Sequence, residues 1–163
     1  MRVEAPIAPK EPLTQTDFQV LELLANNYSH QEICRKLVYH KGFVGFIKKQ
    51  IARKMKNEIQ EETQDGVRKA IVWGISNNKI NFHSLPIPES DRFSSLDEFE
   101  MGIFLLVGKG LTNIQIAEQL SIKPGEVTKG GERVYTKLGL KTIYAATALS
   151  AYGHKRRSES GIL

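Results

Sequence analysis

The sequence predicts an all-α protein made of two tandem four-helix units, and three observations lead there. First, the chain repeats itself: Leu13 to Met55 aligns with Leu96 to Leu138 without a gap, at an offset of 83 residues. Apolar positions coincide at Val20 and Ile103, Leu24 and Val107, Ile33 and Ile116, Leu37 and Leu120, Val44 and Val127, and Ile51 and Val134. Self-similarity at a fixed period marks one supersecondary unit used more than once. Second, helix-start signals recur in both copies, with Ser or Thr followed three residues later by Glu or Gln. Third, no run alternates polar and apolar residues with the two-residue period of a strand.

In the first copy, Thr14 is placed to cap a helix running to about Asn26, with Phe18, Val20, Leu21, Leu23 and Leu24 at helical spacing. Asn27 suits a left-handed stop. Ser29 and Glu32 form a capping box for a second helix, about His30 to Val38. A turn over Tyr39 to Lys41 leads to a third helix, about Gly42 to Lys56. The polar stretch Asn57 to Gly66 precedes a fourth, about Val67 to Asn78. In the second copy, Ser95 with Glu98 and Thr112 with Gln115 read as capping boxes, and Gly110 and Gly139 as helix stops. Pro124 fits the first turn of the third helix. The fourth helix is expected over Thr142 to Tyr152, ended by Gly153. The expected organisation is a loose arm at 1–12, a first unit at 13–79, a linker at 80–94, a second unit at 95–153 and a basic tail at 154–163.

A net charge of +5 and a pI near 9.3 lean toward polyanionic partners. The single cysteine, Cys34, precludes an intramolecular disulfide, and with no leader-like segment the expected compartment is a reducing cytoplasm. Cys34 aligns with Ala117 and reads as a packing residue. His30, His40, His83 and His154 are scattered, without ligand spacing to a cysteine or carboxylate. The reading is therefore of a protein that is not an enzyme and uses no metal or cofactor. No apolar run reaches the roughly 20 residues of a membrane span.

The middle of each copy is a capped short helix, a three-residue turn and a longer helix, which is the helix-turn-helix arrangement that places its second helix in the major groove. Here the second copy resembles the LuxR/GerE family. Gly110, Leu111, Thr112, Asn113, Ile114, Gln115, Ile116 and Ala117 resemble its G-L-S-N-x-E-I-A pattern. Leu120 to Ile122, Val127, and Lys137 to Leu140 are similar to the later segments. The first copy is a more eroded version, through Leu13, Thr14, Ala25, Ser29, Glu32, Ile33, Leu37, Val44, Lys54 and Met55. The resemblance implies double-stranded DNA binding and transcription regulation, usually as an activator beside RNA polymerase. It also implies that the fourth helix pairs units.

The three family positions that face bases hold Gly45, Phe46 and Lys49 in the first copy and Thr128, Lys129 and Glu132 in the second, so the family's usual operators are not expected. The opening arginine of the family is Thr16 and Phe99 here. Gly130 and Gly131 inside the second reading helix each cost about 1 kcal/mol. The DNA-contact candidates are Lys41, Phe46, Lys48, Lys49 and Arg53, with Lys123, Thr128, Lys129 and Arg133. No acid lies between Lys41 and Asn57, although a basic run is also what a solvated helix face looks like. Phe46 is suited either to a thymine methyl or to packing. The capped helix starts, Ser29 with His30 and Thr112 with Asn113, suit phosphates.

Ile71 and Trp73, with Ala146 and Leu149, are candidates for pairing. They could join the two units within one chain, as a monomeric pseudo-dimer, or join two chains as a homodimer. Because no receiver or ligand-sensing domain fits, control is expected through abundance or a partner. The competing reading is a protein-interaction module that holds another regulator or a polymerase subunit. A third is a non-specific architectural DNA binder.

Overall fold

Four helices begin on a reciprocal pair of hydrogen bonds between a cap residue and the residue three positions on. Thr14 and Asp17 open α1 (Gln15–Ala25), and Ser29 and Glu32 open α2 (His30–Leu37). Asp97 and Glu100 open α5 (Glu98–Val107), and Thr112 and Gln115 open α6 (Asn113–Leu120). Each box satisfies N–H groups that the first helical turn leaves unpaired. The remaining helices are α3 (Phe43–Met55), α4 (Thr63–Ser76), α7 (Pro124–Lys137) and α8 (Ile143–Glu159). The computed structural model describes residues 6–56, 62–83 and 93–161, and among these every regular element is helical. The expected arm, linker and tail fall partly outside those residues, as does the stretch 57–61.

Stops follow the same local logic. Asn27 (φ 68°), Gly110 (φ 76°) and Gly139 (φ 69°) take the left-handed conformation expected of them. Val38 and Ser121 also do so, at φ 57° and 55°, ending α2 and α6.

Four expectations change. The box that opens α5 is Asp97 with Glu100, not Ser95 with Glu98: the Asp97 carboxylate accepts from the Glu100 N–H at 2.7 Å. α4 begins at Thr63, ahead of the expected Val67, because Gly66 lies inside the helix. A Cβ there would come within 2.6 Å of the Ala52 Cα, so this glycine lets α3 and α4 meet backbone to backbone. α8 runs through Gly153 to Glu159, and Lys155 Nζ is held by the Ile75 carbonyl at 3.1 Å and by Asn78. The expected basic tail is thus largely helix. Gly130 and Gly131 are packing glycines, since a Cβ on the first would meet Ile103 at 2.2 Å and on the second Ile143 at 3.2 Å.

Among the described residues the core is continuous across these eight helices. Its axle is α8, buried at every residue from Ile143 to Ala151, which is what a helix surrounded by neighbours requires. Ala145, Ala146, Ala148 and Ala151 keep it slim. α8 packs against α5 and α7 of its own group and against α1 and α4 of the other, and α4 lies against α3, α1 and α8. Of the pairing candidates, Ile71, Ala146 and Leu149 are buried. The Trp73 ring is stacked 6.4 Å from that of Phe18 on α1.

One ion pair occurs in both groups at corresponding positions. Lys54 Nζ meets the Asp17 carboxylate at 2.6 Å, and Lys137 Nζ meets that of Glu100 at 2.7 Å. Each ties the last turn of a long helix to the capping-box acid that starts the first helix of its group.

Candidate nucleic-acid interface

The turn from α2 into α3 projects Lys41 into solvent, and α3 then presents Phe46, Lys49 and Arg53 outward. Spacings of three and four residues put these three on one face. Arg53 pairs with Glu11 at 3.9 Å, both groups exposed, an interaction worth little. Lys48 behaves differently. It is half-buried, its ammonium 4.6 Å from the centre of the Tyr144 ring on α8 and 3.1 Å from His30 Nε2. Burial lowers the Lys48 pKa, and burial together with the Lys48 charge lowers that of His30. Lys48 therefore belongs to the seam between the two groups of helices, not to the outward basic face.

On α7, Thr128 and Lys129 are exposed, as is Lys123 just before the helix. Glu126 and Glu132 are exposed beside them, so this face is mixed in charge. Arg133 stays exposed but is engaged within the fold, its Nε donating to Glu100 at 3.1 Å and its guanidinium 5.7 Å from the Phe99 ring. Burial pushes the Glu100 carboxyl up. Hydrogen bonds from Lys137, the Asp97 N–H and Arg133 outweigh that and leave it below its ordinary value.

The sequence suggests that the two capped helix starts are open to phosphate, and the head of α6 is closed. Thr112 and Asn113 are 7% and 8% exposed. The Asn113 N–H donates to the Asp65 carboxylate at 3.2 Å, so a carboxylate from α4 takes the anion's place at the head of α6. Arg68, 1% exposed, ion-pairs with Asp65 and donates to Asn113 Oδ1 at 3.0 Å and to the Leu111 carbonyl at 3.2 Å. At the head of α2, Lys141 Nζ lies 2.6 Å from Glu32, and the Lys141 N–H donates to Asn27 at 2.7 Å. The hydrogen bond from Lys141, with those from Ser29, holds the Glu32 carboxyl down at about 2. His30 remains exposed but is committed to Lys48.

The seam is thus reciprocal. The start of α4 closes over the start of α6, while Lys141 and Tyr144 at the start of α8 close over the start of α2. His30 and Asn113, the first residues of α2 and α6, stand 83 positions apart at equivalent places. Of the residues that make the seam, Asp65, Arg68, Lys141 and Tyr144 are not among the sequence candidates. Asp65 falls in the stretch that reads as polar spacer and Arg68 in the expected helix just after it, and their i, i+3 spacing is their one available signal.

A short capped helix, a tight turn and a longer helix, braced by flanking helices, define a helix-turn-helix protein. Residues 94–150 match the family described as GerE, bacterial regulatory proteins, luxR family, so a GerE-type helix-turn-helix domain occupies α5 to most of α8. No curated protein and no solved structure matches the chain. Among the described residues no group of three or more His, Cys, Asp and Glu could hold a metal ion. Nor is any helix there long and apolar enough to cross a membrane. Cys34 is buried, its thiol 3.5 Å from the His40 carbonyl, in keeping with a packing role.

Proposed function

We propose that this protein binds double-stranded DNA and regulates transcription, with α1–α4 and α5–α8 serving as two helix-turn-helix units of an intramolecular pseudo-dimer. The observation that carries the reading is the GerE-type domain at residues 94–150 packed, through α8, on a second group of helices of the same order. The offset of 83 residues joins matching caps, matching left-handed stops and the matching ion pairs Lys54–Asp17 and Lys137–Glu100. These support descent of both groups from one unit. The packing of α4 on α8 supports pairing within one chain over a homodimer with four reading heads. The reading helices α3 and α7 then address half-sites about one DNA turn apart.

DNA contact falls to Lys41, Phe46, Lys49 and Arg53 from the first unit and to Lys123, Thr128 and Lys129 from the second. Selection of bound fragments from random duplex DNA at near-physiological salt tests this. Two half-sites about 10 base pairs apart are expected. No enrichment at any salt would refute it and favour the second reading, a docking module for another regulator or a polymerase subunit. The exposed Val38 and Phe46 are the observation on that side.

A further inference from the structure

The first reading head carries an apolar knob that the fold does not use. Phe46 is 54% exposed on the outward face of α3, and Val38 in the preceding turn is 89% exposed. Tyr39, Phe43 and Phe46 form a row, with ring centres 4.2 Å and 6.3 Å apart along it. The patch is flanked by Gly42 and Gly45. A Cβ at either would meet nothing within 4 Å, and neither has a positive φ, so neither packing nor backbone conformation calls for glycine. A bare backbone beside a projecting ring is what close approach of an outside surface needs. The rim is cationic, through Lys41, Lys49 and Arg53, and α3 carries no acid. At the corresponding places α7 has Glu126 for Phe43, Lys129 for Phe46 and Glu132 for Lys49.

We infer that α3 reads thymine, with the Phe46 ring seated on the 5-methyl group in the major groove and Lys41, Lys49 and Arg53 on the flanking phosphates. This rests on the DNA-binding reading above. A phenyl ring can neither donate nor accept a hydrogen bond, and thymine is the base that offers an apolar group in that groove. Charge decides for DNA as the occupant, since the cations around the ring complement a phosphate backbone. Because α7 lacks the knob, the preferred site is non-palindromic, with the thymine in one half only.

The test starts from duplexes selected on the intact protein. Replacing each thymine of a selected site with deoxyuridine deletes the methyl and leaves pairing intact. The wild-type protein should bind the substituted half-site about fourfold more weakly for each methyl that is read. Phe46→Ala should bind the thymine site more weakly and be insensitive to the replacement, with Phe46→Leu intermediate. The ring is exposed, so both variants should keep the wild-type circular dichroism. Equal loss in wild type and Phe46→Ala would move the methyl contact to another residue and overturn the assignment. Firm duplex binding with no response to deoxyuridine would overturn thymine reading alone. Absence of duplex binding would overturn the DNA reading and this inference together.

Discussion

Replacing Arg68 with alanine should be among the most damaging single changes in this protein. Its guanidinium is buried on α4 and reaches Asp65, Asn113 Oδ1 and the Leu111 carbonyl, so it is at once an ion-pair partner and a tie between the two groups of helices. Burial lowers its pKa while the Asp65 charge acts in the opposite direction, the balance of a cation kept out of water by one carboxylate. Deleting it leaves Asp65, itself 3% exposed, with the Asn113 N–H as its remaining neighbour across the seam. Breaking a buried pair from one side costs about 3–5 kcal/mol. Against a total of about 5–15 kcal/mol, that is about a fifth of the stability or more. With a urea slope of about 2 kcal/mol per molar, the midpoint should fall by about 2 M.

The double variant Asp65→Leu/Arg68→Met should recover most of the loss, because a well-packed apolar pair replaces ions that burial already disfavours. Arg68 is not fully satisfied to begin with, its Nε lacking a hydrogen-bond partner. Urea unfolding followed by circular dichroism decides. A cost under about 1 kcal/mol for Arg68→Ala would mean that α4 does not seat on the head of α6, and the account of the seam would fall.

Charge reversal at Lys41 and Lys49 should abolish duplex binding while preserving the circular dichroism spectrum. Milder neutral substitutions there should flatten the log–log salt dependence by about 0.9 for each phosphate that is no longer neutralised. Lys48 should not be used for that purpose, since Lys48→Glu would disturb the Tyr144 ring packing and lower the thermal midpoint. Gly45→Ala should raise the stability by about 0.5–1 kcal/mol and yet weaken duplex binding. Gly66→Ala should lower stability by about 1–3 kcal/mol, because the methyl meets the Ala52 backbone. Lys54→Met should cost more than Lys137→Met, because Asp17 loses its buried cation whereas Glu100 keeps Arg133; thermal melts compare them. Glu32 has a folded-state pKa of about 2, below its ordinary 4.5. Its contribution is therefore present above pH 4.5 and disappears as the pH falls toward 2, and Glu32→Gln should flatten the stability profile across that window.

Local hydrogen-bond chemistry is legible in the sequence, and the packing between the two groups is not. Thr14, Ser29 and Thr112 cap helices, Asn27, Gly110 and Gly139 stop them, and Pro124 opens one, because each signal acts within four residues of itself. The sequence places the start of α4 too late because its first turn holds Gln64, Asp65 and Gly66. These look like a loop until α6 and Ala52 are placed against them. It makes α8 too short because glycine ordinarily ends helices, yet Gly153 sits in a helix whose continuation is anchored by Lys155 to the end of α4. It offers Lys48 to DNA because that residue belongs to the basic run of the third helix. The ring that captures Lys48 belongs to Tyr144, far along the chain. The head of α6 misleads because capping shows that a helix starts but not what lies in front of it.

A reciprocal seam inside one chain has a consequence for recognition. In a homodimer the two reading helices are copies, so any change in one is made in the other, and the preferred site stays palindromic. Joining the units covalently removes that constraint. One head can trade hydrogen-bonding side chains for a phenyl ring and bare glycines while the other keeps a mixed, polar face. That is the difference between Gly45, Phe46 and Lys49 on one side and Thr128, Lys129 and Glu132 on the other. What must be kept is the geometry that holds α3 and α7 at a fixed separation. The seam is held by the buried pair of Asp65 and Arg68 at one end and by Glu32 with Lys141 and Lys48 with the Tyr144 ring at the other. If the seam sets the spacing and the helix faces set the bases, weakening the seam through Arg68 should relax the spacing between selected half-sites and leave each half-site sequence unchanged.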